Sequence, residues 1–130
     1  MADDSLVEIV NLSDHKGTYK AVQLLVDEKP FLVLGPSPRS FHYRLLESFL
    51  QERGISFITI QPPGTKIPCN VPALEGEHYK VVGMGDIYLY PQEKLYTGMS
   101  GASQDYRVGI DPTHRSQVKR TLLAQGWTCM

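Results

Sequence analysis

The chain has 130 residues, and its 13 basic and 14 acidic side chains give a formal net charge of −1. This balance argues against a general nucleic-acid-binding protein, which is usually markedly basic. The hydrophobic content of 42% is enough for a core and too high for wholesale disorder, and the length fits a single domain. No apolar run approaches the roughly 20 residues of a membrane-spanning helix, so no membrane partner is expected.

The cysteines and the N-terminus indicate the compartment. Cys69 and Cys129 form no CxxC or metal-ligand pattern, so we expect free thiols in a reducing compartment, although a disulfide between them stays open. Residues 1–5 are acidic and lack the basic and apolar segments of a signal peptide. The four histidines have no zinc-ligand spacing. We therefore expect a cytoplasmic protein without a metal or cofactor.

The first third of the chain predicts a hairpin. Residues 1–16 are polar and predict a loose arm, or an edge strand around residues 7–10. Residues 18–26 are rich in apolar and β-branched side chains and predict a strand, residues 27–30 a turn, and residues 31–34 the returning strand. Two prolines, Pro36 and Pro38, then end the strand and introduce a helix.

An amphipathic helix is predicted from about residue 38 to residue 52, with Gly54 as its stop. Pro38 suits a first helical turn, and the side chain of Ser37 or Ser40 can cap the free amides. At about 100° per residue, one side of the helix collects five apolar residues: Phe41, Leu45, Leu46, Phe49 and Leu50. His42 falls inside this apolar arc, so we expect it to face the protein.

His42 is the first candidate functional residue. In the first turn it would lie beside unpaired backbone amides, which attract anions and disfavour an imidazolium. A neutral histidine beside an anion site is suited to act as a proton acceptor or as a nucleophile. The alternative is a core histidine whose ring makes a satisfied hydrogen bond and does no chemistry.

The middle of the chain predicts a strand at residues 55–60 and then a long loop at residues 61–77. The loop is interrupted by prolines and glycines and shows no hydrophobic period. Loops of this length in compact domains are usually functional or mobile, and this one is a candidate contact surface. Lys66 and His78 are its polar candidates, and we expect both to be solvated.

The second half of the chain repeats this order. Strands are predicted at residues 79–82 and 86–90, broken by the glycines between them, and a turn at 91–93 leads to a returning strand at 94–97. The glycine-rich residues 98–103 would let amides approach a ligand closely, or would form an ordinary strand-end loop. Residues 106–108 predict a short strand. A second helix starts with Asp111 as cap and Pro112 at the first position, ends at Gly126, and precedes a short strand at 127–129.

Together these elements predict an α+β fold. About six strands would form a mixed, largely antiparallel sheet with one helix on each face. The two halves share the order hairpin, helix, glycine and strand, which suggests ββαβ units related by pseudo-symmetry. The whole chain, residues 1–130, would then be one domain with a loose N-terminal arm at 1–16 and a proline-rich loop at 61–77.

Four segments resemble motifs of the janus/ocnus family of small phosphohistidine phosphatases. Residues 17–22, GTYKAV, look like its first strand, G-x-F-K-Y-V, and residues 39–42, RSFH, are similar to its helix start, x-E-Y-H-A. Residues 83–87, GMGDI, resemble G-G-G-R-I, and residues 101–106, GASQDY, resemble G-Y-S-x-x-Y/F-G. Each motif is short, and the resemblance lies in their joint order over residues 17–127.

The resemblance implies metal-independent hydrolysis of phosphohistidine in a phosphorylated protein or peptide. His42 would be the catalytic residue, as general base or as phosphoryl acceptor, and Lys20 would neutralise charge on the phosphoryl oxygens. Backbone amides around residues 42–43 and 103–105 would bind these oxygens. The substrate-binding residues that the motifs imply are Arg39, Phe41, Tyr43, Gly101, Ser103 and Asp105.

The chain departs from the family pattern at four places, one of which is the 61–77 loop, which looks like an insertion. Asp86 replaces the arginine that follows the family's glycines, and Tyr43 replaces the small residue after the histidine. Residues 94–103 are longer than the usual hairpin, so Ser100 competes with Ser103 for the serine's role. A carboxylate near a phosphate repels it. The alternative hypothesis is therefore a catalytically inactive module that binds a phosphate or a peptide, and the third hypothesis is a different small α+β domain.

Overall fold

A computed structural model describes residues 6–64 and 70–130 of the protein. Expectations that concern residues 1–5, Lys66 and Cys69 lie outside these residues. Within the two ranges, no helix is long and apolar enough to cross a membrane. The helices and strands in chain order are β1 (Glu8–Val10), β2 (Gly17–Val26), β3 (Lys29–Pro36), α1 (His42–Glu52), β4 (Thr59–Ile60), β5 (Val71–Pro72), β6 (Tyr79–Tyr90), β7 (Leu95–Ser100), β8 (Ala102–Ser103), β9 (Val108–Gly109), α2 (Pro112–Ala124) and β10 (Thr128–Cys129).

Six of these strands form one sheet in the order β1-β3-β2-β6-β7-β10. The central pairings, β3 with β2, β2 with β6 and β6 with β7, are antiparallel. Each edge strand runs parallel to its neighbour, β1 to β3 and β10 to β7. Two short ribbons, β4 with β5 and β8 with β9, lie outside the sheet. The predicted α+β fold with a mixed, largely antiparallel sheet is therefore confirmed.

The sheet has a hydrophobic core on each face, and one helix covers each core. Side chains alternate along β2, so Tyr19 and Ala21 point to one face while Val22 and Leu24 point to the other. The first pair packs with α2 and the second pair with α1. Residues 21–24 of β2 are buried on both faces, and residues 21–26 are apolar apart from Gln23. One helix lies on each face, as predicted.

The prediction that glycines break the third long strand is wrong, because β6 runs without interruption from Tyr79 to Tyr90. The glycines instead make room within the sheet. A β-carbon at Gly83 would collide with the Gln23 side chain, and one at Gly85 would lie 2.6 Å from the Ser100 carbonyl oxygen. The irregularity in this pairing is a register shift between Gln23 and its neighbour Leu24.

α1 begins at His42, later than the predicted span of 38–52. Ser37 N donates a hydrogen bond to Thr18 O at 3.0 Å, which holds this segment to the sheet and delays the helix. Phe41 precedes the helix with φ −121° and ψ 140°, and no side chain in the described part of the chain, Ser37 and Ser40 included, caps the helix. The predicted cap from Ser37 or Ser40 is therefore wrong. The placement of Phe41 in the core is also wrong, because this residue is 51% exposed.

α2 begins and ends as predicted. Asp111 precedes it and accepts a hydrogen bond from His114 N at 2.8 Å, and Pro112 is its first residue. Gly126 follows the helix with φ +87°, a left-handed conformation that favours glycine. Val118 lies on the buried side of the helix against the sheet. The predicted closing strand is β10.

The segments on either side of the first hairpin and helix agree with the prediction only in part. Of the two alternatives for the N-terminal residues, the edge strand around residues 7–10 is confirmed: β1 lies at the edge of the sheet, Val7 before it is buried, and the Val7 N–H donates to Thr121 Oγ1 at 2.9 Å. After α1, the predicted strand at 55–60 is reduced to β4, which pairs with β5 inside the predicted 61–77 loop. The place beside β3 is occupied by β1, so the ββαβ pseudo-symmetry is not confirmed.

Gln23 ties the start of α2 to the centre of the sheet. Its side chain is fully buried, its Oε1 accepts a hydrogen bond from Asp111 N at 2.7 Å, and its Nε2 donates to Asp111 O at 3.2 Å. One side-chain amide therefore satisfies both main-chain groups of the residue that caps α2. A buried polar group left without a partner costs roughly 1–3 kcal/mol.

We expect Gln23→Met, which keeps the length of the side chain and removes both bonds, to lower the free energy of unfolding by roughly 2–4 kcal/mol. Urea unfolding followed by circular dichroism measures this change. Gln51→Met, on the exposed side of α1, is the matched control and should change the value by less than about 0.5 kcal/mol. Equal stabilities of the two variants would show that the Gln23 bonds contribute nothing.

Candidate functional site

Four residues on neighbouring strands form a row across the sheet, on the face that α1 covers. Lys20 of β2 lies opposite Gly35 of β3 and Asp86 of β6, and Asp86 lies opposite Ser100 of β7. Val22, two residues along from Lys20, packs in the core under α1, so the row lies on the same face as that helix. We call Gly35, Lys20, Asp86 and Ser100 the cross-strand row.

Gly35 lets the chain before α1 lie against the sheet. A β-carbon at this position would collide with Ser40 Oγ and with the Leu45 side chain. The glycine therefore permits the close approach that places His42, the first residue of α1, over the strands. The remainder of the helix is held by its other buried residues, Leu46, Phe49 and Leu50.

His42 is 6% exposed, which confirms the prediction that it faces the protein. Its Nε2 donates a hydrogen bond to the carbonyl oxygen of Gly85 at 2.8 Å. A carbonyl oxygen can only accept, so the neutral ring carries its hydrogen on Nε2 and its lone pair on Nδ1. Gly85 directly precedes Asp86 in β6, so this bond places the imidazole beside the cross-strand row.

Burial lowers the pKa of His42 below its ordinary value of 6.5, because a buried site disfavours the charged imidazolium. The bond to Gly85 O acts in the opposite direction, Lys20 lowers the pKa further, and the negative charges of Asp86 and Asp105 raise it. Burial is the largest of these effects. His42 is therefore neutral at pH 7 and has a lone pair that can accept a proton.

Lys20 and Asp86 form a loose ion pair within the row. Lys20 Nζ lies 3.8 Å from Asp86 Oδ1, which is too far for a hydrogen bond, and the two side chains are 29% and 27% exposed. Asp86 Oδ1 is itself buried and accepts no hydrogen bond from any described residue. An anion that approached Lys20 would therefore also meet a carboxylate.

The first turn of α1 offers two main-chain N–H groups. Arg44 N and Leu45 N both donate to Phe41 O, at 3.1 and 3.0 Å. Within residues 6–64 and 70–130, no acceptor bonds the N–H of His42 or Tyr43, and no side chain caps the helix. The start of a helix carries a partial positive charge, so these groups favour a negatively charged ligand.

Gly101 and Asp105, two of the predicted substrate-binding residues, also reach this site. Gly101 has φ +86°, and a β-carbon there would lie 3.1 Å from Asp86 Oδ2, so glycine leaves that oxygen open. Asp105 is close enough to His42 for its charge to raise the pKa of the imidazole. The Asp105 carbonyl oxygen accepts a hydrogen bond from Gly64 N at 3.0 Å, which joins the loop after β4 to this turn.

The structure separates the two serines that compete for one role in the sequence. Ser103 is 1% exposed, and its Oγ accepts a hydrogen bond from Tyr106 N at 3.3 Å, so it closes a turn. Ser100 is exposed and occupies the last position of the row, opposite Asp86. The strand predicted at 106–108 is instead β9, which starts only at Val108, because Tyr106 and Arg107 belong to the preceding turn and Arg107 has φ +58°.

The remaining predicted residues lie at the surface around the start of α1. Phe41 is exposed, and its ring centroid lies 5.8 Å from that of Tyr43. The Arg44 guanidinium lies 5.8 Å from the centroid of the Tyr43 ring. Arg39 is exposed and makes no polar contact with the described part of the chain. The structure therefore brings the rings of Phe41 and Tyr43 together.

The acceptor of the His42 bond was not predicted. The Gly85 carbonyl leaves no signal in the sequence, because every residue has such a group. Alternation along each strand places Lys20 and Asp86 on one face of the sheet, but it does not say which residue of β6 lies opposite Lys20. That register joins strands that are far apart in the chain, so two-residue periodicity alone does not determine it.

Two other histidines lie away from the row. His78 is exposed and its Nδ1 lies 3.0 Å from Asp27 Oδ1, as expected for a solvated residue. His114 of α2 is 2% exposed, and its Nε2 donates to Phe31 O at 3.0 Å. In the described ranges, no group of three or more His, Cys, Asp or Glu side chains is arranged to hold a metal ion. Cys129 is a free thiol.

Comparison with known proteins does not assign the chain to a family. No model of a known protein family matches the sequence, and no curated protein matches it. The resemblance to the janus/ocnus family therefore stays a prediction, together with the roles that it implies for His42 and Lys20. The α+β fold and the geometry of the cross-strand row do not depend on that resemblance.

Burial of two neutral histidines predicts a loss of stability in acid. Burial lowers the pKa of His114 to about 4, and it also lowers that of His42. The unfolded chain, with ordinary values near 6.5, binds these protons first, so the free energy of unfolding falls as the pH drops below about 6.5. By about pH 4, His114 alone should remove up to about 3 kcal/mol.

An NMR titration of the imidazole ring signals tests this prediction residue by residue. His42 and His114 should titrate below the ordinary value, whereas His78 should titrate above it because Asp27 favours its charged form. His78 thus serves as the internal control in the same sample. An ordinary pKa at either buried histidine would contradict its proposed neutral state.

Proposed function

We propose that the chain is a metal-independent hydrolase of the phosphohistidine phosphatase type, which acts on phosphorylated proteins or peptides in the cytoplasm. The observation that carries the proposal is His42, a buried neutral histidine that begins a helix beside Lys20 and whose Nε2 is fixed by Gly85 O at 2.8 Å. A fixed base suits attack on a phosphoryl group when it lies next to a cation and to main-chain N–H groups that have no acceptor among residues 6–64 and 70–130.

In this proposal His42 acts as the general base. A water molecule near Nδ1 attacks the phosphorus of the phosphohistidine while its proton passes to Nδ1. The new O–P bond forms, the P–N bond breaks, and the electron pair of that bond stays on the leaving imidazole nitrogen. Attack by His42 itself, which would form a phosphoryl-enzyme, uses the same lone pair.

The phosphoryl oxygens would meet donors from three elements. Lys20 of β2 supplies a positive charge, His42 and Tyr43 of α1 supply main-chain N–H groups, and Ser100 of β7 supplies a hydroxyl. Donors that are fixed before the substrate arrives need no reorganisation, and losing one typically costs on the order of 10²–10³ in rate. Ser100 takes this role in place of Ser103, which is buried in a turn.

A binding module without catalysis is the second candidate. The observation that favours it is the ion pair of Lys20 and Asp86 at 3.8 Å, which places a carboxylate where a phosphate site needs positive charge. The start of α1 would then hold a phosphorylated or acidic peptide, and His42 would only anchor the helix to Gly85. The two candidates place the ligand at the same site and differ in turnover.

We expect His42→Ala to reduce phosphate release from a phosphohistidine peptide, without added metal, by at least about a hundredfold, because a general base contributes roughly 10²–10⁴ in rate. His78→Ala removes an exposed histidine next to the other end of β6 and should keep the parent rate. Circular dichroism checks that both variants fold. An unchanged rate in His42→Ala would refute the base, and no turnover in the parent would favour the binding module.

Both candidates predict that Lys20 holds the anion. Lys20→Met keeps the apolar stem and removes the charge, so it should weaken binding of inorganic phosphate by about tenfold or more, since a charged hydrogen bond contributes roughly 1.5–3 kcal/mol. Phosphate-dependent shifts of the His42 and Tyr43 amide signals give the dissociation constant by NMR. Lys80→Met, at an exposed position of β6, is the control. Equal constants for both variants would remove Lys20 from the site.

A further inference from the structure

Asp86 lies in the candidate anion site, and the proposed hydrolysis gives it no role. It follows Gly85, the acceptor of the His42 bond, and faces Lys20 across the strands. Its Oδ1 is buried, lies at a distance of 3.8 Å from Lys20 Nζ, and accepts no hydrogen bond within the described ranges. A buried polar atom without a partner carries a free-energy cost, so its presence in a site calls for a functional explanation.

The second carboxylate oxygen of Asp86 is open to a ligand. The side chain is 27% exposed although Oδ1 is buried, so the exposed part lies on the side of Oδ2. Gly101 keeps this side open, because a β-carbon there would lie 3.1 Å from Oδ2. An ionised carboxylate can accept about four hydrogen bonds, so a ligand with an N–H group can bind here.

The row therefore presents a positive and a negative group side by side. A phosphate ester carries negative charge only, so Lys20 attracts it and Asp86 repels it. A phosphoramidate whose nitrogen group is protonated carries both signs, because the anionic phosphoryl group is attached to a group that bears an N–H with positive charge. Its two charges match those of the row, which is the complementarity that gives specificity.

We propose that this site selects phosphoramidates in their zwitterionic form. The phosphoryl group binds Lys20 and the start of α1, and the protonated nitrogen donates a hydrogen bond to Asp86. In a phosphohistidine, the donor is the ring nitrogen that does not carry phosphorus. This inference rests on the proposed function and names its substrate class. Asp86 is then a specificity residue, which explains an acidic side chain in a phosphate site.

The protonated ring is also the better leaving group. When the ring nitrogen away from phosphorus carries a proton, the electron pair of the P–N bond returns to the ring, and the group leaves as neutral imidazole without a further proton. Water supplies the oxygen of the product phosphate, and its proton goes to His42 Nδ1. In a phosphate ester the leaving atom is an oxygen, and the ester has no N–H that could donate to Asp86. The carboxylate therefore adds nothing to the binding of a phosphate ester.

Two stable peptide analogues of phosphohistidine test the inference by binding alone. The imidazolylphosphonate has a ring that is protonated slightly below neutral pH, and the triazolylphosphonate has the same shape with a ring that stays neutral. At a pH slightly below neutral, isothermal titration calorimetry should show that the parent protein binds the imidazolyl peptide about tenfold or more tightly than the triazolyl peptide. In Asp86→Asn this preference should disappear. In Asp27→Asn, an exposed carboxylate paired with His78, the preference should remain.

The outcomes separate the inference from the function on which it rests. Equal affinity of the parent for the two analogues, or a preference that survives in Asp86→Asn, overturns the inference and leaves the proposed function standing. Binding of neither analogue overturns both. The comparison of two ligands on the parent chain needs no variant, so it remains decisive even where substitution of Asp86 disturbs the fold.

Discussion

The antiparallel pairing of β2 with β6 is the interaction on which the rest of the structure depends. It joins the two halves of the chain, and its register sets Lys20 opposite Asp86. Side chains alternate between the faces along both strands, so a slip of one residue would move Lys20 into the core under α2. The glycines of β6 permit the pairing because they leave space for the Gln23 side chain and the Ser100 carbonyl. The centre of the sheet, and not a loop, fixes the site.

A buried histidine in the first turn of each helix is bonded to a strand of the sheet. His42 of α1 donates to Gly85 O, and His114 of α2 donates to Phe31 O. Burial lowers the pKa of both rings, and the two hydrogen bonds offset part of the free-energy cost of burying a polar side chain. Their surroundings differ, because His42 lies beside the charges of the cross-strand row, whereas Nδ1 of His114 is buried without a partner among the described residues. This difference separates a candidate base from a structural histidine.

The fold can be predicted from the sequence where a pattern is local. Three predictions rest on residues that are close together in the chain, and the structure contains all three features. They are the first hairpin, the helix that contains His42, and the Asp111 cap of the second helix. The start of α1 cannot be predicted in this way, because it depends on a hydrogen bond from Ser37 to the neighbouring strand. In the site, Lys20 and Asp86 stand out in the sequence as opposite charges in apolar strands. Their distance of 3.8 Å follows from the register of two strands that are far apart in the chain, and the residue pattern does not reveal that register.

The edge of the sheet at β1 is short and charged. β1 has three residues, and its Glu8 pairs with Lys29 Nζ at 3.2 Å and with Arg53 Nη2 at 2.9 Å. Exposed ion pairs of this kind contribute little to stability. A short edge strand with charged side chains is, however, a poor template for a strand of another molecule. The charged side chains around Glu8 therefore matter most as a barrier to edge-to-edge aggregation. Replacing them with neutral side chains would increase aggregation at high protein concentration and would change the free energy of unfolding little.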